Sequence, residues 1–338
     1  MNNPAIVFTA PRVAELLDRE IPTIKANEVL VEISHSTISA GTERANFIGD
    51  PNINSTKAPG ITYPRIMGYS TGGTVVSVGD GVTTLKVGDR VACSWTKHQK
   101  YCVVKEACAY PLPDNIGFDE AALVHIATFP MAAIRKCRLE MGESAIVMGL
   151  GVLGLLAVEL LRTAGAYPII AVDPMENKRT QALSLGADYA LNPFEDDFSA
   201  TIKKLTGGGA KVAIEVTGKG QGLDMVLDCM ARFGRVALLG CTRSSDFSID
   251  YYRKVHGPGI TLIGAHTNAR PEQDSRDGWW SERDDAKAIL GLLSGKRLDF
   301  KRLIEETHSP ADAPAIFTRL ANEPSFPIVQ FDWRNFTV

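Results

Sequence analysis

The chain has 338 residues, more than one ordinary core organises and about the length of two domains. A formal net charge of −3 with 45% hydrophobic residues fits a globular protein; it excludes the basic footprint of a nucleic-acid binder and a polybasic membrane anchor. No apolar run approaches the roughly 18 residues of a membrane span, and the opening MNNPAIVFTAPR lacks the pattern of a signal peptide. In chain order, Val29–His35, Gly72–Val78, Val87–Ala92 and Tyr101–Val104 read as short strands, with Gly79-Asp80-Gly81 closing the second. Strands so punctuated predict a compact, barrel-like β region. Asp119–Val124 starts a helical pattern that Thr128–Cys137 continues, with Pro130 marking a kink or a new start.

From Ser144 strand and helix alternate. Ala145–Met148, Ile169–Val172, Tyr189–Leu191, Val212–Val216, Arg235–Leu239 and Ile260–Gly264 read as strands, and Val152–Thr163 and Lys178–Leu185 as helices. Such alternation predicts a parallel sheet covered on both faces. A polar loop, Asn268–Asp277, then leads to a helix over Arg283–Leu293 and a last β segment, Phe326–Trp333. The six cysteines (Cys93, Cys102, Cys108, Cys137, Cys229 and Cys241) form no tight framework, which suits reduced thiols and a cytoplasmic location.

Gly149-Leu-Gly-Val-Leu-Gly154 lies between a predicted strand and a predicted helix. A dinucleotide site requires that placement. Gly149 permits the turn, Gly151 lets a pyrophosphate approach the backbone, and Gly154 lets helix and strand pack closely. The helix start at Val152 and Leu153 offers N–H groups and a partial positive charge to the phosphates. Asp173 ends the next strand, where a carboxylate accepts from ribose hydroxyls and repels a 2′-phosphate, so NAD is expected over NADP. Lys178 and Arg179, just downstream, soften that preference. Thr217 and Gly240 end later strands and are placed against the cofactor, with an ordinary strand-end turn as the alternative for each. Thr128 and Lys178 complete the expected cofactor set.

The order of parts resembles the medium-chain dehydrogenase/reductase superfamily over nearly the whole chain. Val87-Gly-Asp-Arg-Val91 is similar to its GroES-like domain, and Met141 to Gly154 to the start of its nucleotide domain. Ser184–Asn192, Val212–Gly218 and Gly234–Gly240 match as well. The resemblance implies an α/β fold: a GroES-like β-rich catalytic domain over residues 1–122, a Rossmann-type doubly wound parallel sheet domain over 123–266, and a return to the catalytic domain over 267–338. It also implies an active site in the cleft between domains and a homodimer, with Val255–Ile263 as an edge strand.

Zinc members of the family carry a cysteine before a Gly-Thr-Asp-like triplet and a Gly-His-Glu further on. Here Ala40 precedes Gly41-Thr42-Glu43, and the second motif reads Gly68-Tyr69-Ser70. Near Val124, where a third ligand is expected, only His125 is available. Zinc in a catalytic site takes about three protein donors, and alanine has none; the four-cysteine structural lobe is missing too. No metal is therefore expected. The motifs are most similar to a zinc-free branch with bacteriochlorophyllide-dehydrogenase-like and sugar oxidoreductase members.

Without zinc, a side chain must move the hydroxyl proton. Tyr69, at a family ligand position, is the first candidate, with a core tyrosine as the alternative. Thr42 is either the hydroxyl of the family's proton relay or a helix cap. Glu43 either takes a proton or pairs locally with Arg44. His125 either relays protons or is a satisfied helix histidine. His266, Asn268, Arg270, Arg276, Trp279 and Trp280 suit a polyhydroxylated ligand, or else a polar loop with packing tryptophans. Three functions follow: a zinc-independent NAD(H)-linked dehydrogenase of a secondary hydroxyl on a sugar, glycoside or polyol; a zinc-free quinone or enone reductase; and a non-catalytic NAD-binding regulatory subunit.

Overall fold

The computed structural model describes residues 2–53, 60–245 and 247–336. The chain opens with strands β1 (Asn3–Ala10), β2 (Val13–Arg19) and β3 (Glu28–Thr37), helix α1 (Ala40–Ile48), and strands β4 (Arg65–Ile66), β5 (Ser70–Val78), β6 (Arg90–Ser94), β7 (Tyr101–Lys105) and β8 (Ala109–Pro111). Helix α2 (Phe118–Lys136) follows. Next come β9 (Ala145–Met148), α3 (Val152–Ala164), β10 (Ile169–Val172), α4 (Glu176–Leu185), β11 (Tyr189–Leu191), α5 (Phe198–Leu205), β12 (Ala210–Glu215), α6 (Gly220–Asp228), β13 (Met230–Leu238) and β14 (Thr261–Gly264). The last elements are α7 (Glu282–Ser294), β15 (Glu306–His308), α8 (Ala313–Asn322) and β16 (Val329–Asp332). The chain divides into two units: Met1–Ile126 with Ala286–Val338, and Ala127–Asp285. Residues 267–285, grouped by the sequence with the C-terminal return, belong to the second unit.

In the first unit a mixed sheet runs β15-β16-β3-β5-β6-β8, with β7 also paired to β3. The last strand is thus woven beside β3, antiparallel, with Phe331 opposite Ser36. Its core gathers residues distant in sequence because the C-terminal elements return to it. Phe8 meets Phe47 edge-on at 5.2 Å and Phe317 at 4.8 Å, ring centre to ring centre. The β1–β2 hairpin and α1 were not foreseen; the Ser39–Arg44 motif opens a helix.

In the second unit six parallel strands run β11-β10-β9-β12-β13-β14. By order of appearance that is 3-2-1-4-5-6, the doubly wound arrangement whose direction reverses between its first and fourth strands. Strands β9 and β10 are fully buried, which explains their unbroken apolar sequence.

One alternative falls and one expectation needs correction. α2 is one helix running through Pro130, so no new helix starts there. Proline removes one backbone bond, but the residues on either side, Ala121–Ala127 and Ala132–Ile134, are buried and hold the helix together. The segment Val255–Ile263 is not one strand. Tyr252–His256 forms a helical turn, Pro258 and left-handed Gly259 (φ +70°) follow, and only Thr261–Gly264 joins the sheet, as its last strand.

Candidate active site

The glycine loop occupies the reversal point of the second unit's sheet. Gly149 turns with φ +96°, and a Cβ there would stand 3.0 Å from the Thr217 methyl. Gly151 precedes α3, and a Cβ there would meet nothing within 4 Å. A Cβ at Gly154 would collide with the Gly149 carbonyl. The three glycines thus have three different reasons: backbone sign, open space for a phosphate, and helix–strand approach. The first-turn N–H groups at Val152, Leu153 and Gly154 have no acceptor within the helix, so they are available to an anion over Gly151.

Asp173 follows β10. Its carboxylate accepts from the Leu150 N–H at 2.9 Å and the Met175 N–H at 2.8 Å. A carboxylate has about four lone-pair directions, so two remain for ribose hydroxyls. Arg179 folds back onto the carbonyls of Asp173 (2.9 Å) and Pro174 (2.8 Å). Lys178 is buried, with its ammonium 3.5 Å from the Gln181 amide oxygen.

Thr217 and Gly240 lie at the adjacent ends of β12 and β13. A Cβ at Gly240 would stand 2.7 Å from the Val216 carbonyl, so the two turns touch backbone to backbone. Glu215 is buried beneath them; burial raises its pKa, against hydrogen bonds from Thr217 and Gly218 that lower it. Gly149, Thr217 and Gly240 therefore converge at the carboxyl edge of neighbouring strands, where ligands of such sheets bind. Thr128 is fully buried, and its hydroxyl accepts from the Arg270 guanidinium at 3.1 Å. These residues fit a dinucleotide.

In the first unit Ser70 pairs with Ser94, and the Trp95 N–H donates to the Tyr69 carbonyl at 2.8 Å. The Ser70 hydroxyl donates to the Ala122 carbonyl of α2 at 2.7 Å, which brings Tyr69 against that helix. His125 is buried and meets Tyr69 edge-on at 5.6 Å and Trp95 at 4.8 Å. Trp95 is 49% exposed and held in the left-handed region (φ 59°), a strained conformation for an aromatic residue. Sequence reading passed over Trp95. Its signal was a lone aromatic directly after the Gly-Asp-Arg-Val strand.

Of the two alternatives for Glu43, the local ion pair is absent. Glu43 does not pair with Arg44, whose guanidinium donates to the Ala321 carbonyl at 2.7 Å. Its fully buried carboxylate takes the Ser39 N–H (2.8 Å) and a ring nitrogen of His98 (2.8 Å). The other His98 nitrogen meets the Ser36 hydroxyl at 2.8 Å, which accepts from the Trp333 indole at 2.9 Å. Every member of this chain of bonds is buried, and through it Glu43 ties the start of α1 to His98. Thr42 is half-buried in the first turn of α1, and the capping contact at that helix start comes from Glu43, not Thr42. His98 was missed because its partners are brought in from β3 and α1, with Trp333, just after β16, joined through Ser36.

Residues 270–279 line a cavity of about 500 Å³ formed by Arg270, Pro271, Asp274, Ser275, Arg276 and Trp279. The tryptophans are partly used: Arg135 lies 3.5 Å over the Trp280 ring and Lys136 4.7 Å over Trp279. His266 has a lowered pKa, from burial first and then the charges of Arg243 and Lys136.

Among the described residues no group of three or more His, Cys, Asp or Glu side chains is arranged to hold a metal ion. At the expected ligand positions stand Ala40, without a donor, and the Tyr69 phenol, so this donor set does not fit zinc. Also among the described residues, no helix is long and apolar enough to cross a membrane.

Residues 25–136 match the model of the alcohol dehydrogenase GroES-like domain, and residues 152–277 that of the zinc-binding dehydrogenase family. The chain is 28% identical to D-guloside 3-dehydrogenase of Escherichia coli, over 94% of this chain and 96% of that protein. It is 30% identical to L-threonine 3-dehydrogenase of Pyrococcus furiosus, over 77% of this chain and 82% of that one. An Escherichia coli oxidoreductase of unknown specificity has the same fold, with a TM-score of 0.85 at 22% identity over 98% of this chain and 99% of that chain. The GroES-like β unit, the parallel sheet with its glycine loop and these relatives agree: the chain belongs to the medium-chain dehydrogenase/reductase superfamily of oxidoreductases.

Proposed function

We propose that the protein is a zinc-independent, NAD(H)-linked dehydrogenase that oxidises a secondary hydroxyl of a sugar, glycoside or polyol, or reduces the corresponding carbonyl. The observation that carries this reading is the cradle at the sheet's reversal point: open space over Gly151, helix N–H groups beside it, and Asp173 with acceptor capacity to spare. A carboxylate at Asp173 favours ribose hydroxyls over a 2′-phosphate. Arg179, engaged with backbone carbonyls, is not aimed at such a phosphate. The name of the D-guloside 3-dehydrogenase relative, aligned almost end to end, supports a sugar-like substrate.

When bound, the nicotinamide ring accepts or supplies the hydride. The protein's own residues must hold the cofactor and move one proton. Tyr69, set against His125 and beside Trp95, is the group assigned to the substrate hydroxyl, with His125 behind it as relay. An exposed tryptophan next to a polar group suits a ring bearing hydroxyls.

The test is NADH formation with a panel of glycosides, sugars, polyols and simple alcohols, using protein dialysed against chelator. Turnover with a sugar-class substrate and NAD, unaltered by chelator, is the expected result. Restoration of activity only by added zinc defeats the metal-free reading. Binding of NADH without turnover of any substrate leaves a regulatory role.

A further inference from the structure

One residue holds the second half of the dinucleotide cradle together. The Glu215 carboxylate accepts from the Thr217 N–H at 2.8 Å, from the Thr217 hydroxyl through a short bond, and from the Gly218 N–H at 3.2 Å. Its main-chain carbonyl accepts from the N–H groups of Leu239 (2.9 Å) and Gly240 (2.8 Å). The side chain therefore shapes the turn after β12, and the carbonyl anchors the turn after β13. Neighbours leave room for this arrangement. A Cβ at Gly222, in the first turn of α6, would collide with the Thr217 hydroxyl. The Thr217 methyl in turn abuts Gly149. The carboxylate is buried with no cation among these partners, so its position is set by the three donors.

In a sheet of this order each half binds one mononucleotide. Asp173, after β10, belongs to the half that takes the adenosine ribose. The turns after β12 and β13 belong to the other. We infer that Glu215 is a positioning residue for the nicotinamide half of NAD(H), acting through the Thr217–Gly218 and Leu239–Gly240 turns. The inference rests on the cofactor reading given above, and its test separates the two.

The apo protein is titrated with NADH, followed by fluorescence, and with AMP, followed by calorimetry, for the native chain, Glu215→Gln and Thr217→Val. A carboxamide keeps the shape but turns a donor toward the Gly218 N–H. Loss of one charge-assisted bond predicts about a tenfold rise in the NADH Kd of Glu215→Gln. Its AMP Kd should stay within about twofold, because the adenosine half is independent. Thr217→Val, which loses only the hydroxyl, should weaken NADH several-fold and spare AMP. If Glu215→Gln does not fold, this second variant decides the matter. An unchanged NADH Kd in the variants overturns the inference, and so does equal weakening of NADH and AMP, which would mark Glu215 as a general support of the sheet. Native protein that binds neither ligand overturns the cofactor reading, and the inference falls with it.

Discussion

Tyr69 and Glu43 show how the same kind of sequence evidence leads to opposite structural outcomes. Tyr69 was nominated because it stands at a position where zinc relatives hold metal, and Glu43 as a carboxylate in the Gly41-Thr42-Glu43 triplet. Tyr69 is half-buried, its ring against those of His125 and Trp95. Glu43 is sealed in with His98. Removing the Tyr69 hydroxyl while keeping its ring should therefore strike chemistry and not folding. Tyr69→Phe is expected to lower kcat by about 10²–10⁴, the usual worth of a positioned acid or base. Its NADH Kd should match the native value, since no part of the glycine loop is altered. A variant with native kcat would remove Tyr69 from the mechanism and leave His125 as the proton carrier to test next.

At the scale of elements, the glycine loop lends itself to a contrast within a few residues. Gly151→Ala adds a methyl into open space at a backbone conformation (φ −71°, ψ −170°) that alanine adopts. The fold should be untouched, with the NADH Kd raised at least about tenfold by a methyl where the pyrophosphate must approach. Gly154→Ala drives a methyl into the Gly149 carbonyl and must push α3 off β9. Its Tm should fall by several degrees, in keeping with about 1–3 kcal/mol of overpacking. Equal Tm losses in the two variants would contradict this division of labour. These positions were legible in the sequence because each acts through its own backbone and its nearest strand and helix. The buried strands β9 and β10 were legible for the same reason, as unbroken apolar runs. The Glu43–His98–Ser36–Trp333 chain was not, because it joins residues as far as 297 positions apart and leaves no local pattern. The helix α1 was hidden by a weak apolar face and a glycine in its first turn. Glu215 read as one more strand residue, since its partners lie in the turn after it.

At the scale of the whole molecule, two buried or bridged carboxylates should make the units respond differently to acid. Glu306, in the first unit, is held at a pKa of about 2, first by hydrogen bonds from Arg319 and then, against burial, by His308. An acid depressed on folding contributes stability above its unfolded pKa, near 4.3, and loses it as pH falls toward 2. Asp285, in the second unit, behaves in the opposite sense. Burial lifts its pKa to about 6, more than the Arg135 guanidinium at 2.7 Å lowers it. Its folded form binds a proton that the unfolded chain releases, so its contribution is fully present below about pH 3.9 and is lost as pH rises through about 6. Asparagine at 285 mimics the protonated acid at every pH. The difference in urea midpoint between the native chain and Asp285→Asn should therefore shift steadily in favour of the variant from pH 4 to pH 6, then level off by pH 7. Subtracting one curve from the other cancels Glu306 and the remaining acids, which both proteins share. A difference that stays flat across that window would mean that Arg135 compensates the buried charge in full. The cation over Trp280 would then serve as the carboxylate's counter-charge, and not chiefly as a packing contact.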